Sequence, residues 1–189
     1  MSSLALYRDD APAAPIERTT DPARIAQVLR AIGVRFERWD SPVTPARTAP
    51  AADVLAAYRP YLDQLMGETG AGSADVITMH GAGEGWDATR RKFLCEHIHD
   101  EDEIRFFVHG QGDFVLHADG QVFNVRCTAG DLISVPAGIP HWFDGGADPD
   151  FVALRVFTNP DGWIARYTGD DIATRFAAAD DDEGCEIAV

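Results

Sequence analysis

The stretch "CEHIHDEDEIRFFVHG", Cys95 to Gly110, together with "GDLISVPAGIPH", Gly130 to His141, decides how this chain is read. Along a β-strand alternate side chains share a face, so His97 and His99 point the same way and can hold one ion between two imidazoles. A helix would send them apart. The acidic run Asp100 to Asp102 makes a poor strand interior and predicts a turn that brings Glu103 back beside the histidines. A third imidazole, His141, arrives behind Pro136 and Gly138, which fix a bend, and Pro140, which stiffens the approach. Three imidazoles and one carboxylate suit Fe, Ni, Mn, Co or Zn, whereas calcium and magnesium prefer shells of oxygen alone. Four ligands leave two positions open on an octahedral ion, which points to catalysis; a structural zinc site closes with four ligands, often thiolates. An H-x-H pair alone is a weak metal signal, but here a glutamate at fixed spacing and a third histidine behind a Pro-x-Gly turn join it. His80, His109 and His117 lack that setting and are read as structural or surface residues.

The bulk properties bound what such a site can serve. At 189 residues and 46% hydrophobic content the chain is long enough for one domain with a continuous core. With 31 acidic against 16 basic side chains the net charge is -15, so nucleic acid and anionic membrane surfaces are repelled. The start "MSSLALYRDD" lacks a basic, apolar leader, and no run of about twenty apolar residues occurs, which predicts a soluble, cytoplasmic protein. Cys95, Cys127 and Cys185 form no C-x-x-C pair and are odd in number; the expectation is reduced, buried thiols.

Periodicity divides the chain in two. "DPARIAQVLRAI", Asp21 to Ile32, repeats apolar residues at Ile25, Val28, Leu29 and Ile32 and stops at Gly33, an amphipathic helix. A second helical pattern runs from Ala51 to Met66 with a break at Pro60. After "GETGAG" come short β-branched or aromatic runs divided by glycine, proline and aspartate, the texture of antiparallel sheets closing as a sandwich or barrel. Asp119-Gly120 between two such runs predicts a tight hairpin. We therefore expect a single domain over 1–180, with a helical part at 1–70 and a mainly β barrel core at 74–168. The acidic end, 181–189, is expected to be a flexible tail.

The two quoted stretches match the signature of the cupin superfamily, H-x-H-x(3)-E-x(6)-G followed by G-x(5)-P-x-G-x(2)-H. His97, His99, Glu103 and Gly110 fill the first part, and Gly130, Pro136, Gly138 and His141 the second, with every spacing intact. Two departures, Arg91 where a glycine is expected and Gly145 where an asparagine often follows, fall at positions that bind no metal in the pattern. The longer string "HIHDEDEIRFFVHGQGDFVLH" with "HWFDGG" downstream resembles the acireductone dioxygenases of methionine salvage, and the likeness extends from the first helical region through "GWIARYTG". The resemblance implies a cupin double-stranded β-helix, or jelly-roll barrel, with N-terminal α-helices packed on it. It also implies one Fe(II) or Ni(II) per monomer on His97, His99, Glu103 and His141. The partners implied are a small-molecule acireductone and O2. With iron the family yields formate and 4-methylthio-2-oxobutanoate; with nickel, methylthiopropionate, formate and carbon monoxide. The resemblance is compatible with a monomer and leaves the choice of metal open.

The neighbouring residues acquire tasks from the same pattern. Arg105, two beyond Glu103, shares its strand face, where a permanent positive charge stabilises a substrate dianion; its alternative is a salt bridge within the acidic cluster. Glu96 and Asp102 flank the ligands and are expected to accept imidazole N–H bonds or guide metal entry, against the alternative of solvated turn acids. Phe93, Phe143 and Trp163 form an expected apolar wall for the methylthio tail, against plain core packing. Two rival functions remain at this point: a cupin isomerase whose metal polarises a carbonyl, and a non-enzymatic small-molecule binder with an unused site.

Overall fold

A computed structural model describes residues 1–40, 44–159 and 164–176. Its first part holds β1 (Ser3–Arg8), β2 (Pro15–Thr19), α1 (Pro22–Arg30), β3 (Arg35–Arg38), α2 (Ala51–Ala57) and α3 (Arg59–Thr69). There follow β4 (Ser73–His80), α4 (Trp86–Phe93), β5 (His97–Ile98), β6 (Glu103–Ala118), β7 (Gln121–Thr128), β8 (Asp131–Val135), β9 (His141–Asp144), β10 (Asp150–Phe157), β11 (Arg166–Tyr167) and α5 (Ile172–Phe176).

The long strand β6 serves two antiparallel sheets in succession. Its first half pairs with β8 and β10, extending one sheet to β3 and β4; its second half pairs with β7 and β9, extending the other to β1, β2, β5 and β11. The transfer occurs at Gly110, whose φ of 70° and close approach to β10 exclude a side chain: a Cβ there would lie 1.7 Å from the Asp150 carbonyl oxygen. Two sheets sharing a strand and closing over a common core make the mainly β jelly-roll expected of a cupin. The hairpin at Asp119-Gly120 is present, with φ of 54° and 70°, joining β6 to β7.

Alternation along β6 determines what each sheet face meets. Phe107, Phe114 and Leu116 face the barrel interior with Ile133, Phe143 and Phe151, while Ile104, Phe106 and Val108 face outward. That outer face is covered by α2 and α3 through Val54, Tyr58, Leu62 and Leu65, which recur every three or four residues on one helical stripe. Each such side chain removed from water contributes about 1.5–3 kcal/mol. Pro60 lies in the first turn of α3, so the break expected there separates the two helices. In α1, Asp21 caps the N-terminus by accepting from the Ala23 N–H, and Ile25 and Leu29 are fully buried.

Two expectations need correction. The part at 1–70 is not helical alone: β1 pairs with β7, β2 with β1 and β3 with β8, so the barrel recruits strands from it. The signal was short but present, since Leu4 and Leu6 of β1 are buried and alternate with more exposed neighbours. The expectation of three reduced thiols also fails, because Cys95 is disulfide-bonded and only Cys127 is a free, buried thiol among the described residues. The tail at 181–189 lies outside the described residues. Among those described, no helix is long and apolar enough to cross a membrane.

Candidate metal centre

Four groups converge at one end of the barrel. His97 sits on β5, His99 just beyond it, Glu103 opens β6 and His141 opens β9, and His97 is the register partner of His141. All four are buried, and their ligating atoms lie within 4.8 Å of one another. The two sequence stretches that supply them are tied together by backbone: the Gly138 N–H donates to the His99 carbonyl (2.9 Å) and the Ala137 N–H to the Asp102 carboxylate (3.0 Å). The turn at Pro136–Gly138 is thus hung from the loop between His99 and Glu103, which sets where His141 enters.

The orientation of the imidazoles follows from their outer nitrogens. Nδ1 of His97 donates to the Cys95 carbonyl (2.7 Å), Nδ1 of His99 to the Ile164 carbonyl (3.0 Å) and Nδ1 of His141 to the Ile139 carbonyl (2.8 Å). A carbonyl oxygen can only accept, so each Nδ1 carries its proton and each Nε2 presents a lone pair to the centre. Yet Nε2 of His141 lies 2.8 Å from Oε2 of Glu103, and Nε2 of His99 lies 3.4 Å from the same oxygen. Such short separations between a ring nitrogen and a carboxylate oxygen need positive charge between them, supplied by a second ring proton or by a metal ion. A divalent ion on three nitrogens and a carboxylate oxygen satisfies all four at once, so the donor set fits a metal of the Fe, Ni, Co, Mn or Zn kind. Electrostatics favour the ligating forms of His97 and Glu103 and favour positive charge at His99. Burial, reinforced by His141, lowers His97 to a pKa of about 4 and keeps it neutral. Burial would also lower His99, but the adjacent Glu103 carboxylate outweighs it and raises it. Burial pushes Glu103 up, and the Arg105 charge with the hydrogen bonds of His141 and His99 overcomes that, holding it well below the usual carboxylate range.

Beside the four groups opens a cavity of about 190 Å³, lined by Lys92, Phe93, His97, His99, Glu103, Arg105, Phe143, Arg155, Ala165 and Tyr167. Arg105 is buried, donates from Nε to Oε1 of Glu103 (2.7 Å) and lies over the rings of Phe143 and Phe114 at 5.1 and 5.5 Å. On the neighbouring strand Arg155 stands directly opposite Arg105 and is gripped through two bonds of 2.7 and 2.6 Å by Asp75. Like charges opposite each other across a ladder oppose folding, and here each is met by its own carboxylate, Arg105 by Glu103 and Arg155 by Asp75. A larger cleft of about 700 Å³ between α2, α3 and β4 gathers no comparable chemistry, its charged lining being Arg59 and Asp63, which pair with each other.

The neighbours expected from sequence are placed as follows. Phe93, on α4, and Phe143, on β9, line the cavity, with Phe143 fitted above Gly112, where a Cβ would come 2.4 Å from its ring. Trp163 lies outside the described residues. Glu96 does not reach an imidazole of the cluster: strand alternation turns it to the other face, where it accepts from Nδ1 of His117 (2.8 Å) and from the Thr168 hydroxyl. Asp102 holds the Ala137 amide, and the three Nδ1–H groups it and Glu96 were expected to accept go to backbone carbonyls. His80 and His109 bond to the Arg47 and Pro45 carbonyls, away from the site. Lys92, Arg155 and Tyr167 were not foreseen. A signal existed for Arg155, a lone charge within the apolar run "FVALRVF".

Comparison with known proteins converges on one group. The ARD/ARD' family model matches residues 3–165. An acireductone dioxygenase of Gluconobacter oxydans (strain 621H) is 64% identical over 178 residues, covering 94% of this chain and 95% of that one. One from Gluconacetobacter diazotrophicus is 65% identical over 176 residues, covering 93% and 98%. Among solved structures, an acireductone dioxygenase from Bacillus anthracis with a cadmium ion in its active centre superposes with a TM-score of 0.75 at 27% identity, over 88% of this chain and 98% of that one.

Proposed function

The chain belongs to the ARD/ARD' family of acireductone dioxygenases, and from that premise we propose that it cleaves 1,2-dihydroxy-3-oxo-5-methylthiopentene with O2 at the cluster of His97, His99, Glu103 and His141. The observation that carries this reading is the set of three Nε2 lone pairs aimed with one carboxylate at a common point, beside a cavity lined by cationic and aromatic side chains. One Fe(II) or Ni(II) ion would be held by those four residues and would supply a positive centre for an enediolate.

The chain's own residues account for recognition. Arg105 sits in a buried, aromatic setting, where its guanidinium favours the dianion of the substrate over its protonated forms. Its Nε bond to Glu103 fixes the plane of the guanidinium and holds the Glu103 carboxylate at the metal position. Lys92 adds a positive charge to that of Arg105 in the same cavity, while Arg155 is matched by Asp75. Together Lys92 and Arg105 offset locally the repulsion expected between an anion and a chain of net charge -15, since exposed charges beyond about 8 Å are largely screened at physiological salt. Phe93 and Phe143 offer the apolar surface for the methylthio tail, with Trp163 the further candidate. A diffusible metabolite as substrate accords with a cytoplasmic enzyme, and the family resemblance with a monomer.

Anaerobic reconstitution with Fe(II) or Ni(II) separately, followed by oxygen and acireductone, tests the proposal. The iron form is expected to give 4-methylthio-2-oxobutanoate and formate, and the nickel form methylthiopropionate, formate and carbon monoxide. Stoichiometric metal binding without acireductone-dependent O2 uptake by either form would overturn it.

A further inference from the structure

Glu96 is 3% exposed, and the reaction makes no use of it. Its carboxylate accepts from Nδ1 of His117 (2.8 Å) on one oxygen and from the Thr168 hydroxyl on the other, while its backbone carbonyl accepts the Thr168 N–H at 3.1 Å. Thr168 ends the short segment Ile164–Thr168, which includes β11. This strap does three things at the metal centre: the Ile164 carbonyl accepts Nδ1–H of His99, Ala165 and Tyr167 line the cavity, and the Tyr167 ring stands edge-on to His97 at 6.0 Å.

Apolar burial does not hold the strap in place. Ile164 is 70% exposed and Tyr167 38%, and Arg166 and Thr168 are exposed as well. β11 pairs with β5 at only two positions, Arg166 with Ile98 and Tyr167 with His97. The Arg166–Asp100 ion pair is exposed on both sides and contributes little. What remains is held at Thr168, by the bond of its N–H to the Glu96 carbonyl and by the bond of its hydroxyl to the buried Glu96 carboxylate, the one side-chain contact of the two. The Thr168 oxygen also accepts the Asp170 N–H (3.2 Å), which orients its single proton toward Glu96.

We propose that Thr168 and Glu96 form a clasp that positions His99: by pinning the strap, they keep the Ile164 carbonyl where it fixes the Nδ1–H tautomer and the ring direction of that histidine. Thr168 is a positioning residue, acting on the metal centre through a backbone carbonyl four residues away. The inference rests on His99 being a ligand. Outer partners of ligating histidines are worth 10- to 100-fold in metal affinity, and the clasp gives this chain a side chain that controls one such partner at a distance.

The test is Ni(II) affinity by chelator competition on Thr168→Val, Thr168→Ser and His99→Ala, with the visible ligand-field band of the Co(II)-loaded proteins and the thermal stability of the metal-free ones. We expect Thr168→Val to bind about 10-fold more weakly with a shifted Co(II) band, and Thr168→Ser, which keeps the hydroxyl, to match the parent in both. A merely structural hydroxyl would lower the melting temperature of Thr168→Val and leave affinity and band unchanged, which overturns the clasp, as would Thr168→Ser behaving like Thr168→Val. His99→Ala separates the two readings: parent-like affinity there refutes the ligand assignment, whereas weak binding there beside parent-like Thr168→Val refutes the clasp alone.

Discussion

Among the described residues three carboxylates are buried, Asp131, Glu103 and Glu96, and the surroundings of the first two differ in kind. Asp131, at the start of β8, is fully buried and meets donors on every side: Arg38 Nη1 at 2.7 Å, the Ser2 hydroxyl at 2.5 Å and the Thr128 N–H at 2.7 Å. Glu103, at the start of β6, has one such donor, Arg105, and beyond it two imidazole nitrogens whose protons are committed elsewhere. The first site is complete as a piece of protein. The second is complete only with a cation, and that contrast separates a carboxylate that stabilises the fold from one that holds a metal.

Substitutions at the two sites should therefore part company. Glu103→Ala is expected to abolish tight metal binding while circular dichroism shows a folded barrel; full metal occupancy in that variant would erase the distinction. Arg105→Met, beside the same carboxylate, should lower kcat/KM by about 10²–10³ through loss of a preorganised charge on the substrate dianion, measured on protein with parent-like metal content. Asp131→Ala should do the reverse, costing about 2–3 kcal/mol in denaturant unfolding by stranding the Thr128 N–H and Arg38, with metal affinity unchanged. Gly110→Ala lies between the sites, where β6 passes from one sheet to the other. Left-handed backbone alone costs a side chain about 1–2 kcal/mol, and the Asp150 carbonyl blocks the Cβ besides, so both stability and metal affinity should fall together. The smallest effect concerns Cys127, whose thiol burial pushes well above its ordinary 9.0, with the charges of Asp131 and Asp113 adding to it. A thiol with a raised folded-state pKa keeps its proton while the unfolded chain loses it, so this contribution is intact below pH 9 and is lost as pH climbs beyond it. Stability of the parent should decline above pH 9, and less steeply in Cys127→Ala.

The metal cluster was legible because its spacing encodes geometry: alternation along a strand joins His97 to His99, and a Pro-x-Gly turn can only deliver His141 at one place. Alternation also held the answer for Glu96, which as the neighbour of His97 must face away from the metal. Other parts were written more faintly. In β1 the period-two pattern covers six residues, and α4 is a helix of eight residues without a side-chain cap at Gly85, too short for a periodicity to declare itself. Lys92 and Tyr167 reach the cavity from α4 and from the two-residue β11, and such placement depends on tertiary packing that no local pattern carries.

An anomalous-scattering map from crystals of the Ni(II)-reconstituted protein addresses the central claim most directly. The account predicts a single strong peak ligated by Nε2 of His97, His99 and His141 and an oxygen of Glu103, with coordination positions left open toward the cavity of Arg105. A peak ligated through Nδ1, or one that excludes any of these imidazoles, or an ion enclosed by protein atoms on every side, would contradict it.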